Sequence, residues 1–147
     1  MSNWARLLAA IRMASAAADR GEFDSAIHLL RAVYEERDAP PDGLSLYGLC
    51  LALREKKTKQ GIEYCRKAID LQPYDARHRV NLIKIYLLNG SRKKAVEVLE
   101  EGMRQLPEDR LLMKMRDEMK YRRRAAIPFL SRNHPLNEML GKMRRGR

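Results

Sequence analysis

Apolar residues recur every three or four positions along most of the chain, which is the spacing of an amphipathic helix. The stretch AVEVLEEGMRQLPEDR at residues 95–110 is typical, with charged residues between its apolar positions. Gly102 stands on the apolar face of this stretch, where a glycine costs about 1 kcal/mol relative to alanine. Pro107 then ends the pattern, because proline lacks an N–H and clashes with the preceding turn. A glycine on a buried helix face needs an explanation.

The explanation is a repeat, because the same pattern occurs three times at a period of 34 or 35 residues. Gly21 and Gly90 lie five residues before Ala26 and Ala95, where a turn between two helices is expected. In the middle copy this turn reads REKKTKQ and has one extra residue and no glycine. The period predicts stacked helical hairpins whose small residues let the helices approach closely. The aligned residues are Ala26, Leu30 and Val33; Gly61, Cys65, Ala68 and Pro73; and Ala95, Leu99, Gly102 and Pro107.

These helix pairs resemble the tetratricopeptide repeat, a helix–turn–helix unit of 34 residues. The resemblance implies an all-α fold in which hairpins form a right-handed superhelical array. We expect the repeats at about residues 7–40, 41–75 and 76–109, with the first copy matching least well. The residues that carry the resemblance in the upstream helices are Leu44, Tyr47, Gly48 and Leu51 in the second copy, Leu82, Ile83 and Tyr86 in the third, and the weaker Ala10, Met13, Ala14 and Ala17 in the first.

Residues 110–124 are predicted to cap the last repeat. Leu112, Met115 and Met119 make a single apolar stripe, as expected of a helix that packs on one side only. Residues 1–124 would then form one helical domain, and residues 125–147 a C-terminal tail. Within the tail, residues 136–143 have the apolar spacing of a short amphipathic helix.

The positive charge of the chain is concentrated at its C-terminal end. The net charge is +11, yet residues 1–109 hold 18 Lys and Arg against 16 Asp and Glu. Residues 110–147 hold 12 Lys and Arg against 3 Asp and Glu. The sequence therefore predicts a body of balanced charge followed by a cationic tail.

No catalytic or metal-binding motif stands out, so we expect neither an enzyme nor a cofactor. The serines lack a nucleophile-elbow context and no Gly-rich phosphate loop is present. Cys50 and Cys65 fit no metal-binding spacing and are expected to be buried, reduced thiols. No apolar run reaches the roughly 18 residues of a membrane span. The apolar run LLAAI near the N-terminus is shorter than a secretory signal requires, which favours a cytoplasmic protein.

The resemblance implies that the first helices of the repeats line a concave groove that binds a peptide segment of a partner. This groove would be apolar at one end and basic at the other, which suits a segment with aliphatic anchors and an acidic group. The residues carried over to the groove are Leu8, Ile11, Ser15, Ser45, Leu49, Leu53, Arg77, Val80 and Lys84, with Tyr74 nearby.

Three hypotheses remain open for the basic tail. Its apolar residues Ile127, Phe129 and Leu130 could dock in the groove of the same chain, in that of a second copy, or on the cap helix. Alternatively, the charge of the tail would attract nucleic acid or an anionic membrane surface. We therefore expect an adaptor or chaperone-like protein, for which bacterial secretion chaperones with three repeats are one model. A nucleic-acid- or membrane-associated accessory protein is the alternative.

Overall fold

The computed structural model describes residues 2–121. Over this range the chain forms seven α-helices, one short 3-10 turn at Pro41–Gly43 and no strand, which confirms the all-α prediction. The helices are α1 (Asn3–Asp19), α2 (Phe23–Tyr34), α3 (Leu44–Arg54), α4 (Thr58–Leu71), α5 (Ala76–Leu88), α6 (Arg92–Gln105) and α7 (Arg110–Tyr121).

The helices pair into hairpins that stack side by side. The pairs α1–α2, α3–α4 and α5–α6 are each in close contact, and α7 packs on α5 and α6. The first helices of the second and third pairs run parallel, because Ser45 near the start of α3 is hydrogen-bonded to His78 and Asn81 near the start of α5. The helical array expected from the repeat is therefore present.

The aligned small and bulky positions are the buried faces of the second helices, as predicted. Each of these helices turns a narrow row of residues inward and leaves its charged residues outside. The apolar stripe predicted for the cap is likewise the buried face of α7. The buried residues are Ala26, Ile27, Leu30 and Val33 in α2; Gly61, Cys65 and Ala68 in α4; Ala95, Leu99 and Gly102 in α6; and Leu112, Met115 and Met119 in α7.

Glycines allow two different kinds of close contact. A Cβ atom added to Gly48 would lie 2.5 Å from the carbonyl oxygen of Gly61, and one added to Gly61 would lie 2.5 Å from that of Gly48. The α3 and α4 backbones therefore touch at this pair. A Cβ atom on Gly102 would instead lie 2.8 Å from Cδ of Arg79. Gly102 therefore makes room for an arginine side chain and not for the backbone of a neighbouring helix.

The turns inside the three hairpins share a left-handed residue. Gly21 has φ 78° and Gly90 has φ 75°, which confirms turns at these glycines. The middle turn places Lys56 at φ 55° instead, a conformation that is unfavourable for a residue with a Cβ atom. The turn that lacks glycine in the sequence thus keeps the same kind of backbone bend.

The N-terminal helix begins earlier than the repeat predicts. Helix α1 starts at Asn3 rather than near residue 7. Ser2 caps this start, because its hydroxyl accepts a hydrogen bond from the Ala5 N–H at 3.2 Å. Met13, one of the weak repeat matches, has 60% of its surface exposed. The predicted division into a domain ending at residue 124 and a tail stays a prediction, since it falls beyond the described residues.

The core consists of two hydrophobic clusters that meet at α3. One contains residues of α1 and α2 with Tyr47, Cys50 and Leu51 of α3. The other contains Leu49 and Ala52 of α3 with residues of α4 to α7. Both cysteines are free and buried. None of the helices of the described part is long and apolar enough to cross a bilayer.

Candidate functional site

The first helices of the hairpins form a surface with Lys84 near its middle. Helix α5 carries Lys84 and packs between α3 and α7. Burial lowers the pKa of Lys84, while the nearby carboxylates of Glu118 on α7 and Asp19 at the end of α1 act in the opposite direction, and Lys114 lowers it further. Charges from three helices therefore meet around Lys84. The tetrad Lys84, Asp19, Lys114 and Glu118 is called the charged centre below.

Apolar side chains of α3 and α5 border the charged centre. Leu53, Val80 and Leu88 are half-buried and pack against the same core cluster. Each keeps part of its surface exposed, and Val80 and Leu88 lie one helical turn before and after Lys84, so together they offer an apolar strip for another chain. This strip of Leu53, Val80 and Leu88 is called the apolar strip.

The structure divides the ten predicted groove residues into three groups. Ile11, Ser45 and Leu49 are buried, with Ser45 only 1% exposed, so they belong to the core rather than to a binding surface. The predicted assignment is incorrect for these three. The packing of α3 between α2, α4 and α5 covers Ser45 and Leu49, and Ile11 of α1 is buried in the cluster that α1 forms with α2 and α3. The half-buried residues are Leu8, Leu53, Val80 and Lys84, and the exposed ones are Ser15, Tyr74 and Arg77.

The predicted basic end of the groove carries a neutralised arginine. The Arg77 guanidinium donates to both carboxylate oxygens of Asp75, at 2.9 and 3.1 Å from Nε. Burial alone would raise the pKa of Asp75, but the side-chain and backbone hydrogen bonds from Arg77 outweigh burial and lower that pKa. With Lys84 also beside two carboxylates, the surface has mixed rather than positive charge.

A second exposed feature lies at the loop between α4 and α5. Leu71, Tyr74 and Leu111 are 57%, 79% and 44% exposed and line one shallow depression of about 640 Å³. Arg77 and Asp109 lie at its border. The Asp109 carboxylate already accepts hydrogen bonds from two N–H groups at the start of α7, so its role there is to cap the helix.

A buried polar network lies beneath α5 and has the residue types of a catalytic triad. The Ser45 hydroxyl is 2.7 Å from Nδ1 of His78, and Nε2 of His78 is 2.7 Å from the Gln72 side-chain oxygen. The amide of Asn81 donates to the Ser45 oxygen at 3.0 Å, and an Asp75 oxygen is 3.8 Å from Nε2. Since the side-chain oxygen of Gln72 can only accept, Nε2 carries the proton and Nδ1 accepts from the Ser45 hydroxyl.

This network joins helices and has no room for a substrate. His78 is fully buried, and Ser45 is almost so. Burial lowers the pKa of His78 despite the nearby Asp75 carboxylate, which favours a neutral ring with both nitrogens hydrogen-bonded. We therefore assign the network to the contact between α3 and α5.

Sequence reasoning missed four residues of this surface, namely Leu88, Asp19, Lys114 and Glu118. Leu88 could have been found, since it follows Lys84 by one helical turn on the same helix. Asp19, Lys114 and Glu118 could not, because they come from other helices and only the folded array brings their charges near Lys84. The predicted docking residues Ile127, Phe129 and Leu130 lie outside the described residues.

Comparison with known proteins identifies the repeat. Residues 52–116 match the family model of the tetratricopeptide repeat. No curated protein and no solved structure gives a significant match to the chain. Within residues 2–121, no group of three His, Cys, Asp or Glu side chains lies close enough together to hold a metal ion. Residues 52–116 therefore carry the tetratricopeptide-repeat pattern, and the seven helices of the described residues form a helical array that is consistent with such repeats.

Proposed function

We propose that this protein is an adaptor or chaperone-like scaffold that binds a peptide segment of a partner protein on the surface of α3, α5 and α7. Tetratricopeptide repeats serve in general as non-catalytic scaffolds for protein–protein interactions, which supports the proposal at the level of the family. The observation that carries it in this chain is the apolar strip beside the charged centre.

The chemistry of the surface suggests what the segment contains. Aliphatic side chains of a partner would remove Leu53, Val80 and Leu88 from water, at about 25 cal/mol for each Å² of apolar surface buried. The charged centre offers both signs, so a polar group on the segment can pair with Lys84 or with Glu118. An acidic group on the partner remains part of the proposal, with Lys84 as its contact.

The test compares two valines of similar burial, one on the proposed binding surface and one on a helix outside it. Val80 on α5 and Val98 on α6 are both half-buried and pack against the same cluster. We expect Val80→Glu to weaken partner binding at least about tenfold, because a charge would replace an apolar contact. Val98→Glu should leave the affinity within about threefold of the wild type, since α6 does not belong to the proposed surface.

The experiment begins with co-purification from native cells and mass spectrometry, followed by fluorescence anisotropy with overlapping peptides of the captured partner. Circular dichroism checks that both variants fold. Equal binding by the two variants would contradict the proposed surface. A partner that becomes soluble only when co-expressed with this protein would favour the secretion-chaperone model over a simple adaptor.

A further inference from the structure

The body of the array has one edge that is rich in lysine. At this edge lie the turns inside the last two hairpins and the end of α7. Residues 54–59 hold four Lys and Arg and one Glu, and residues 89–94 hold three Lys and Arg and no acidic residue. The loops at the other edge hold Glu35, Glu36, Asp38, Asp42, Asp75, Glu108 and Asp109, and the turn inside the first hairpin holds Asp19, Glu22 and Asp24.

Contacts between the helices place these segments on the same side of the molecule. A Cβ atom on Gly61 near the start of α4 would lie 3.2 Å from Ile85 near the end of α5. Nη2 of Arg92 at the start of α6 donates to the carbonyl oxygen of Met119 near the end of α7, at 3.1 Å. The starts of α4 and α6 and the ends of α5 and α7 therefore share one edge. Neighbouring helices lie about 8–10 Å apart, so the edge is a row of closely spaced positive charges.

Several charges at this edge are not compensated within the fold. Arg54 is paired with Asp24, and Lys57 shares Glu55 with Arg31. The remaining lysines are exposed and form no ion pair with another described residue, although Lys94 lies over the ring of Tyr86 at 5.9 Å. These lysines, called the lysine edge, are Lys56, Lys59, Lys93, Lys94 and Lys120.

The chemistry of the lysine edge favours a flat anionic surface. The lysine ammonium is a compact point charge. It lacks the planar guanidinium of arginine, which donates two parallel hydrogen bonds to one base edge or phosphate. The large exposed apolar side chains that the structure describes, which include Trp4 and Tyr74, lie elsewhere, so none of them offers bases a stacking ring at this edge. The lysines are spread along one edge of the array, at the starts of α4 and α6 and at the end of α7, which suits contact with an extended anionic surface.

The chain continues from this edge into its most basic stretch. Helix α7 ends at Tyr121, and Arg122, Arg123 and Arg124 follow in the sequence. The spacing of Leu136, Met139, Leu140 and Met143 predicts an amphipathic segment of about three turns, which is short for stable membrane binding alone. Peripheral anchoring generally needs two signals, an apolar insertion and a basic patch. The lysine edge supplies the second signal for this segment.

We propose that the lysine edge, together with the basic sequence that follows α7, docks this protein onto a membrane surface rich in anionic phospholipid. The proposal is independent of the peptide surface on α3, α5 and α7, which it leaves open to a partner. Protein binding and membrane docking would then use different parts of one molecule.

The test is co-sedimentation of the full chain with vesicles of phosphatidylcholine containing 30% phosphatidylglycerol, and with vesicles of phosphatidylcholine alone. The edge variant is Lys59→Glu, Lys93→Glu and Lys120→Glu. The matched control is Lys67→Glu, Arg104→Glu and Arg110→Glu, which changes the net charge equally at exposed residues away from the edge. Fluorescence anisotropy with a 30-nucleotide RNA is measured in the same salt.

We expect the wild type to bind the anionic vesicles and not the neutral ones, with binding that weakens as salt rises. The edge variant should bind at least about tenfold more weakly, and the control less than about threefold more weakly, with both variants folded by circular dichroism. Equal losses in both variants, or an edge variant that binds like the wild type, would overturn the proposal. A wild type that binds the RNA but not the vesicles would overturn it in favour of nucleic acid.

Discussion

The most informative single residue is Gly102, whose small size serves the side chain of Arg79. Arg79 is only 3% exposed and is held at both ends. Its Nη1 donates to the Pro73 carbonyl oxygen at 2.7 Å, and its Nη2 donates to the Gln105 side chain at 2.6 Å. The arginine thus ties the loop before α5 to the end of α6, and it can do so only because residue 102 has no side chain.

We expect Gly102→Leu to destabilise the protein by about 1–3 kcal/mol, although leucine is the better helix former. The new side chain would collide with Arg79 and with Leu112, whose Cδ1 lies 3.2 Å from a Cβ atom at this position. Urea unfolding measures the loss. The same substitution in an Arg79→Ala background should cost less, because one obstacle is gone. Strictly additive costs would contradict this account of Gly102.

The sequence places Gly102 on the correct face of the helix but does not show why this residue must be small. A repeat column of Val33, Ala68 and Gly102 indicates that space is limited without showing what occupies it. The occupant comes from α5, and its direction depends on partners at Pro73 and Gln105. Local patterns find a buried position more readily than they find the side chain that fills it.

At the scale of elements, the contact between α3 and α5 depends on a neutral histidine. Burial lowers the pKa of His78 below its ordinary value of 6.5. In the pH range between the lowered pKa and 6.5, the unfolded chain binds a proton that the folded chain does not. The stability provided by the neutral ring is therefore complete above pH 6.5 and is lost as the pH falls below it.

We expect the free energy of unfolding, measured with urea, to fall as the pH is lowered from 7.5 to 5.5. His78→Gln should be less stable at pH 7.5 because the network is incomplete, by about 1–3 kcal/mol, and should show a much smaller dependence on pH in this range. His28→Gln is the matched control, since His28 is exposed on α2. A His78→Gln variant with the full pH dependence of the wild type would show that another group is responsible.

Elements with a strong apolar period were predicted well, whereas turns and unusual neighbours were not. The buried faces of α4, α6 and α7 follow directly from the spacing of small and bulky residues. The middle turn was recognised as different, but a lysine with positive φ has no sequence signal comparable to glycine. The prediction that Ser45 lies in the groove rests on the family resemblance alone. Its hydrogen-bond partners His78 and Asn81 belong to the next repeat, so the sequence of α3 gives no sign of them.

At the scale of the whole molecule, the two core clusters divide the array into halves that share α3. In a linear array, each repeat is stabilised mainly by its nearest neighbours. A mutation in one cluster should therefore loosen that half first. Helix α3, with residues in both clusters, is the element through which the halves act on each other.

Leu30→Ala and Leu112→Ala provide a test, since both leucines are fully buried, one in each cluster. Each substitution should cost about 2–5 kcal/mol locally. In native-state hydrogen exchange, Leu30→Ala should reduce protection mainly in α1 and α2, and Leu112→Ala mainly in α5, α6 and α7. Uniform loss of protection across all helices would show instead that the array unfolds as one unit.

Each of the two core clusters contains one cysteine, so the reactivity of the thiols can report on the two halves separately. Cys50 belongs to one cluster and Cys65 to the other, and both are fully buried. Burial raises the pKa of Cys50 to about 12 and also raises that of Cys65, so neither thiol forms the reactive thiolate readily in the folded protein. Modification by a thiol reagent then requires that the surrounding helices separate. Because these are the only cysteines in the chain, the labelling rate of each one reports how often its half of the array opens.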